Sequence, residues 1–128
     1  MGWTNVKSLQ NDTDHEILAH LNDVDPPPIW ITVDKKVVCP PGKSTVLDWN
    51  LPWVTSSMDF GVRHIVLEIP TGTEKYWIYQ GEDRDGDFVR YLTNRTFIQM
   101  APVVPGVHDV NGDRVIMVKT DGSFEFGY

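Results

Sequence analysis

The chain has 128 residues, of which 41% are hydrophobic and 23% charged, a balance typical of one globular domain with one core. Eighteen acidic and 11 basic side chains give a net charge of −7. This excess of acid argues against nucleic acid and anionic membranes as partners, because both are bound through clustered Lys and Arg. Neutral ligands such as sugars, zwitterionic lipids or apolar metabolites remain open.

The first half of the chain reads as short strands, because its apolar runs are rich in β-branched and aromatic residues. These runs are WTNVKSL, EILAHLN, IWITV, KKVVC and STVLDW. EILAHL could also form a turn and a half of helix, since it is too short for its periodicity to decide. The prolines at 26–28 and the PPG sequence at 40–42 mark the clearest breaks.

One amino-terminal pattern resembles a known group of proteins. The stretch QNDTDHEI, followed by the PPG turn, is similar to the start of small acidic β-sandwich proteins, including aegerolysin-type membrane binders. The likeness covers only part of the chain and contains no diagnostic motif. We therefore assign no family and carry over no functional residue.

Cys39 is the single cysteine, so an internal disulfide is excluded and a buried, inert thiol is expected. The amino terminus lacks a basic region followed by an apolar run, and no segment could span a bilayer. We therefore expect a cytoplasmic protein, with leaderless export as the alternative. The chain contains no P-loop, nucleophile elbow or dinucleotide fingerprint, and no histidine pair has metal-ligand spacing, so we expect neither cofactor nor metal.

The segment WNLPWVTSSMDF, at 49–60, is too long and too interrupted by Pro52 for one strand. One interpretation, which we favour, is a hydrophobic plug that seals an end of the fold, because large aromatic side chains are mostly buried. The other is an exposed platform for a ligand. Trp49 and Trp53 would then stack on a sugar ring.

Three polar residues adjoin those tryptophans and could serve the platform. Asp48, Asn50 and Asp59 would accept hydrogen bonds from the hydroxyl groups of a bound sugar. Trp77, on a later strand, is the third tryptophan among the residues predicted to bind the ligand.

The run VRHIVLEI, at 62–69, alternates as a half-buried strand does. Ile65, Leu67 and Ile69 fall on one face, whereas His64 and Glu68 fall on the other, about 13 Å apart at the strand rise. If the second face lines a cavity, these two residues are candidate acid and base groups. If that face is solvated, they are the ordinary polar half of the strand, which is the interpretation we favour.

An enzyme would need further groups near this strand. Tyr79 and Asp48 could join His64 and Glu68 in proton transfer, with Trp77 and Trp53 lining a cavity for an apolar substrate. Such a cyclase or isomerase would leave no sequence motif.

Three dipeptides predict type I′ hairpin turns: Asp85-Gly86, Asn111-Gly112 and Asp121-Gly122. The first turn would place Tyr79 opposite Leu92 and Gln80 opposite Tyr91. The second would place Asp109 opposite Arg114. The third would place Met117 opposite Phe126 and Val115 opposite Tyr128.

The first turn lies in GEDRDGDFVRY, at 81–91, which could instead be a calcium loop. A loop of the EF-hand type requires glycine at its sixth position and an acid at its twelfth. Counted from Asp83, those positions hold Phe88 and Asn94, so we interpret the stretch as a turn.

The sequence therefore predicts an all-β, single-domain protein (residues 1–128): an antiparallel β-sandwich or a small closed β-barrel, with a meander over 62–128. The leading functional hypothesis is a binding protein for a neutral ligand: a glycan, a lipid headgroup or an apolar small molecule. The alternatives are the cyclase or isomerase described above and a structural subunit of a homo-oligomer.

We expect calcium to leave the unfolding temperature of the protein unchanged. A tight site, with free metal at about 100 times its dissociation constant, would add about 2.7 kcal/mol and raise the midpoint by several degrees. Thermal unfolding followed by circular dichroism, with and without calcium, measures the difference. A calcium-dependent rise that Asp85→Ala abolishes would contradict the turn interpretation.

Overall fold

The computed structural model describes residues 3–24, 32–69, 74–83, 86–94, 96–98 and 101–128. Buried and exposed side chains alternate along its short strands, which form two sheets. Within these ranges the strands are β1 (Thr4–Asn11), β2 (Ile17–Val24), β3 (Thr32–Cys39), β4 (Lys43–Asn50), β5 (Arg63–Ile69), β6 (Glu74–Asp83), β7 (Gly86–Leu92), β8 (Gly112–Val118) and β9 (Phe124–Gly127). One short helix, α1 (Ser57–Val62), lies between β4 and β5. EILAHL thus belongs to a strand. The prolines at 26–28 and the start of IWITV lie outside the described residues.

The strands form a four-stranded sheet of order β4-β1-β8-β9 and a five-stranded sheet of order β3-β2-β5-β6-β7. The two sheets pack face to face and, over the described strands, do not close into a barrel. The sandwich prediction is therefore confirmed. The strand order also differs from expectation. β1 and β8 pair in parallel, and the meander comprises only β5, β6 and β7 before the chain crosses to the other sheet.

The main core lies between the inner faces of the two sheets. Ile65, Leu67 and Ile69 of β5 are at most 2% exposed, on the face that their alternation predicts. They belong to one cluster with Leu9 of β1 and Ile116 of β8, in the opposite sheet. Each such side chain contributes about 1.5–3 kcal/mol when fully buried.

A second, smaller core covers part of the outer face of the five-stranded sheet. Its buried members are Val54, Phe60, Tyr79, Leu92 and Ala101, and we call it the outer core. Phe60 comes from α1, so the helix packs on the sheet from outside. No helix in the described ranges is long and apolar enough to cross a membrane.

Two hairpin registers differ from the predicted ones, with different consequences. β6 and β7 place Tyr79 opposite Arg90, not Leu92, a shift of two residues that leaves every side chain on its predicted face. The acidic stretch is a hairpin whose strands pair as far as Asp83 and Gly86; its tip, at 84–85, lies outside the described residues.

In the last hairpin, β8 and β9 place Met117 opposite Glu125 instead of Phe126, a shift of one residue that reverses the face of Met117 relative to Phe126. Lys119 N donates to Ser123 O at 2.8 Å beyond the ends of the two strands, which leaves a three-residue loop at 120–122. Its last residue, Gly122, has a φ of 86°, which suits a bulged turn.

The Asn111-Gly112 turn does not join two neighbouring strands, because β8 pairs with β1 and β9. Asp109 instead forms an isolated bridge with Phe88 of β7. The predicted contact is nevertheless present, since Arg114 Nη2 lies 3.4 Å from Asp109 Oδ1.

The segment 101–110 closes one side of the sandwich by hydrogen bonding to an edge strand of each sheet. Val104 N donates to Val89 O of β7 at 2.9 Å, and Phe126 N of β9 donates to Pro105 O at 2.9 Å. Gly106 allows this close approach, because its φ is 87° and an added Cβ would overlap the carbonyl oxygen of Phe126.

We expect Gly106→Ala to destabilise the protein by about 3 kcal/mol or more, because the new methyl group combines backbone strain with an overlap. Gly61→Ala is the matched control. An added Cβ there meets nothing within 4 Å, and within a helix the change should be stabilising by up to about 1 kcal/mol. Urea unfolding of both variants gives the free energies, and equal stability of the two would contradict this account.

Candidate functional site

The aromatic segment at 49–60 divides into the end of a strand, a buried crossing and a helix. Trp49 belongs to β4 and is 4% exposed, while Leu51 and Val54 are at most 2% exposed. Trp53 is partly exposed, but its Nε1 atom is buried without a hydrogen-bond partner among the described residues. Residues 49–54 thus pack in the manner expected of a plug, whereas Met58 of α1 is 80% exposed.

The plug is held by Gln80 of β6, which is fully buried. Its backbone N–H donates to Pro52 O at 2.8 Å, and its carbonyl accepts from Val54 N at 2.9 Å. Its side chain accepts from Thr4 N of β1 at 3.0 Å and donates to Leu51 O. One glutamine therefore connects both sheets to the crossing segment.

Helix α1, which sequence reasoning missed, uses Asp59 in its cap. The backbone N–H of Asp59 donates to Ser56 Oγ at 3.2 Å, and Thr55 Oγ1 donates to Asp59 Oδ2 at 2.9 Å. A serine followed three residues later by an acid is a helix-start signal, so the helix was detectable in the sequence. The described contacts of Asp59 are with its own cap and not with an aromatic platform.

A groove of about 260 Å³ lies on the outer face of the five-stranded sheet, beside the outer core. Its lining, which defines what we call the sheet groove, is His20, Asn22, His64, Val66, Glu68, Lys75 and Trp77. Strand register brings these residues together, because directly paired residues share a face. Across β2, β5 and β6, His20 pairs with Val66, and Val66 pairs with Trp77.

The ionisable groups of the sheet groove are held by protein partners. His64 is 4% exposed, and its Nδ1 donates to Phe60 O of α1 at 2.8 Å. Lys75 Nζ lies 3.2 Å from Glu68 Oε1, and His20 Nε2 donates to Asp34 Oδ1 at 2.6 Å. The groove therefore carries a compensated ion pair and no unbalanced charge on these residues.

A second cavity, of about 230 Å³, lies between the sheets beside the edge strands β3 and β4, and we call it the edge cavity. It is lined by Leu21, Asp23, Val33, Lys35, Asp48, Trp49 and Asn50. Asp48 has the left-handed φ of 56° at a bulge in β4, and its Oδ1 accepts from Asn5 Nδ2 at 2.8 Å.

The structure divides the predicted site residues between the two cavities. The sheet groove contains His64, Glu68 and Trp77; the edge cavity contains Asp48, Trp49 and Asn50. Tyr79 lies in the outer core, Trp53 beside Gln80 and Asp59 in the cap of α1. The four candidate proton-transfer residues are therefore not assembled in one place. Among the described residues, no group of three or more His, Cys, Asp or Glu side chains is placed to hold a metal ion.

Sequence reasoning missed the contributions of β2 and β3. His20 and Asn22 enter the sheet groove, and Asp23 and Lys35 enter the edge cavity. The β2–β5 pairing that positions the first two joins strands distant along the chain, so no turn motif could have signalled it.

Tyr79 is 1% exposed and packs edge to face on Phe60, with ring centroids 5.5 Å apart. Its hydroxyl has no hydrogen-bond partner within the described ranges. Burial raises its pKa to about 12, although the positive charge of Arg90 acts in the opposite direction. The hydroxyl is therefore neutral over the physiological range.

We expect Tyr79→Phe to be stabilising at pH 7, by about 1 kcal/mol or more, because an unpaired buried hydroxyl is removed. Because the pKa of the Tyr79 hydroxyl is higher in the folded state, its contribution to folding stability is present below pH 10 and is lost as the pH rises through about 12. The wild type should lose on the order of 2 kcal/mol over that interval through this group, and Tyr79→Phe should not. Urea unfolding at several pH values tests both points. A variant less stable than the wild type at pH 7 would show that the hydroxyl has a partner.

No protein-family model matches the chain, and no curated protein and no solved structure is significantly similar to it. The resemblance of the amino-terminal pattern to acidic β-sandwich proteins gains no support from these comparisons. Function must therefore be inferred from the side chains of the two cavities.

Proposed function

We propose that the protein binds a small, neutral, hydroxyl-rich ligand, such as one sugar unit of a glycan, in the sheet groove. The observation that carries the proposal is the position of Trp77, a partly exposed indole in a groove whose other residues are mostly polar. A flat aromatic face suits the C–H surface of a sugar ring, and the surrounding polar groups suit its hydroxyls. Trp49, at 4% exposure, is too buried for such stacking.

Packing keeps the Trp77 ring in place. The residue pairs with Val66 on one side and Leu92 on the other, and its side chain packs against the outer core. A side chain already held by its neighbours loses little conformational entropy when a ligand stacks on it. The sheet itself therefore preorganises the stacking surface.

Hydrogen-bonding capacity in the sheet groove matches hydroxyl groups. The carboxamide of Asn22 and the indole N–H of Trp77 make no hydrogen bond to a described residue. Asn22 can both donate and accept, and a sugar hydroxyl does the same. One hydrogen bond of this kind typically contributes about 0.5–1.5 kcal/mol of net free energy.

Charge and size restrict the ligand further. The ion pair between Glu68 and Lys75 compensates the two charges at the rim, and the whole protein carries a net charge of −7. Anionic ligands are therefore disfavoured. A volume of about 260 Å³ is below the range of roughly 300–1,000 Å³ typical of drug-sized ligands. A single sugar ring fits this description better than a long apolar molecule.

We expect neutral monosaccharides to shift the NMR signals of the sheet groove, including the indole N–H of Trp77. Trp77→Ala should weaken binding at least tenfold by removing the stacking surface, and Asn22→Ala by about three- to tenfold by removing one hydrogen-bonding group. Trp3→Ala, which changes an indole that is 57% exposed and outside the groove, is the control and should bind like the wild type.

Urea unfolding of each variant separates lost binding from lost folding. Asn22→Ala is especially informative, since its side chain has no described hydrogen bond to lose. If no monosaccharide shifts the groove signals, or if folded Trp77→Ala and Asn22→Ala bind like the wild type, the proposal is wrong.

A further inference from the structure

We infer that Asn111 is a latent site of spontaneous deamidation, and that the pairing of β1 with β8 keeps it from reacting while the protein is folded. The reaction needs only water, and it converts an asparagine that is followed by glycine into aspartate or isoaspartate. Asn111 is the one asparagine of the chain that precedes a glycine. The site does not depend on the proposed function, because β8, which follows Asn111, and the sheet groove belong to different sheets.

The reaction is an attack by the main chain on a side chain. The backbone nitrogen of Gly112 loses its proton, bonds to Cγ of Asn111 and expels the side-chain nitrogen as ammonia, which leaves a five-membered succinimide ring. Water then opens the ring at one of its two carbonyl groups. One opening gives aspartate, and the other gives isoaspartate, in which the main chain runs through the former side chain. A glycine in the second position favours ring closure because it has no side chain to hinder the approach.

The side chain of Asn111 is ready to react. The residue is exposed, and its carboxamide makes no hydrogen bond to a described residue. Gly112 is exposed as well, so water can reach the ring once it has formed. Asn94 offers a contrast, since its Oδ1 accepts from Thr96 N at 2.8 Å and its neighbour in the sequence is the bulky Arg95.

The attacking nitrogen, however, is engaged. Gly112 N donates to Trp3 O at 2.8 Å, and Gly112 pairs with Thr4 at the start of the parallel ladder between β1 and β8. An amide nitrogen shares its lone pair with the neighbouring carbonyl group, so it is a poor nucleophile until its proton leaves. The hydrogen bond to Trp3 holds that proton in place. The folded protein therefore blocks the step that closes the ring.

The block depends on the end of a strand. Trp3 lies just before β1 and is 57% exposed, whereas Thr4 is fully buried and its N–H donates to Gln80 Oε1 at 3.0 Å. Contacts at the frayed end of a ladder open more often than those in its interior. Asn111 can thus react during a local opening at Trp3, without unfolding of the whole protein.

The isoaspartate product would make this opening permanent. Isoaspartate adds one carbon to the main chain directly before Gly112, which displaces the first residue of β8 from its register with Thr4. The aspartate product keeps the original main chain and can close again. The two products therefore differ in backbone geometry although they carry the same charge.

The test compares conversion of Asn111 in the folded protein and in the same chain unfolded in urea, at one mildly alkaline pH and one temperature. Mass spectrometry of proteolytic peptides measures the converted fraction. We expect conversion about tenfold or more slower in the folded protein, and hydrogen exchange of the Gly112 N–H slowed by a similar factor, because one opening exposes the nitrogen to both reactions. Asn94 is the internal control and should remain unconverted in the folded protein.

A chain that begins at Thr4 lacks the carbonyl of Trp3 and, if circular dichroism shows that it folds, should convert Asn111 faster than the full chain. Equal rates in the folded and unfolded full chain would overturn the inference, and so would an unfolded chain whose Asn111 stays intact. Neither comparison requires the truncated chain to fold.

Asn111→Asp separates the effect of charge from that of the backbone. It carries the charge of the products on an intact main chain, so it should unfold in urea like the wild type. The purified isoaspartate form should unfold at a lower urea concentration. An isoaspartate form as stable as Asn111→Asp would contradict the loss of register.

Discussion

The buried side chain of Gln80 is the interaction on which both cavities depend. It accepts from the backbone of β1 and donates to the crossing segment that follows β4, while its own backbone bonds to both sides of that segment. The hydrogen bond to Leu51 holds the end of β4, whose last residues line the edge cavity. The backbone hydrogen bonds of Gln80 hold the segment that leads into α1. They thereby help to position the carbonyl of Phe60, which accepts a hydrogen bond from His64. A buried amide that satisfies its partners rigidifies its surroundings, because each of those groups would be costly to leave unpaired.

Strand faces could be predicted from the sequence, whereas register could not. Burial obeys the period of two at Ile65, Leu67 and Ile69, because one face must exclude water. Register depends on the number of residues in each turn, which dipeptides indicate only approximately. For Tyr79 the error was two residues and left its face unchanged; for Met117 it was one residue and reversed that face relative to Phe126.

The candidate sites could be predicted only in part, for a related reason. Trp77, His64 and Glu68 share a face within two neighbouring strands, so local alternation brought them together. Asn22 lines the same groove because β2 pairs with β5, although β3 and β4 lie between these two strands in the sequence. Hydrophobic patterning contains no information about such a pairing, since many registers would bury the same residues. The contribution of β2 to the sheet groove, His20 and Asn22, was therefore beyond sequence reasoning.

The parallel pairing of β1 with β8 has a consequence for the order in which the protein folds. Asn5 and Asp113 lie 108 positions apart in the chain yet face each other across two neighbouring strands. β1 is synthesised before β8 but obtains it as a neighbour only after all the residues between the two strands have been made. Long-range pairing of this kind slows folding and leaves a strand edge exposed while it waits. In the nascent protein the edge of β1 that later meets β8 is thus open to aggregation, although β1 is an interior strand of its sheet in the finished fold.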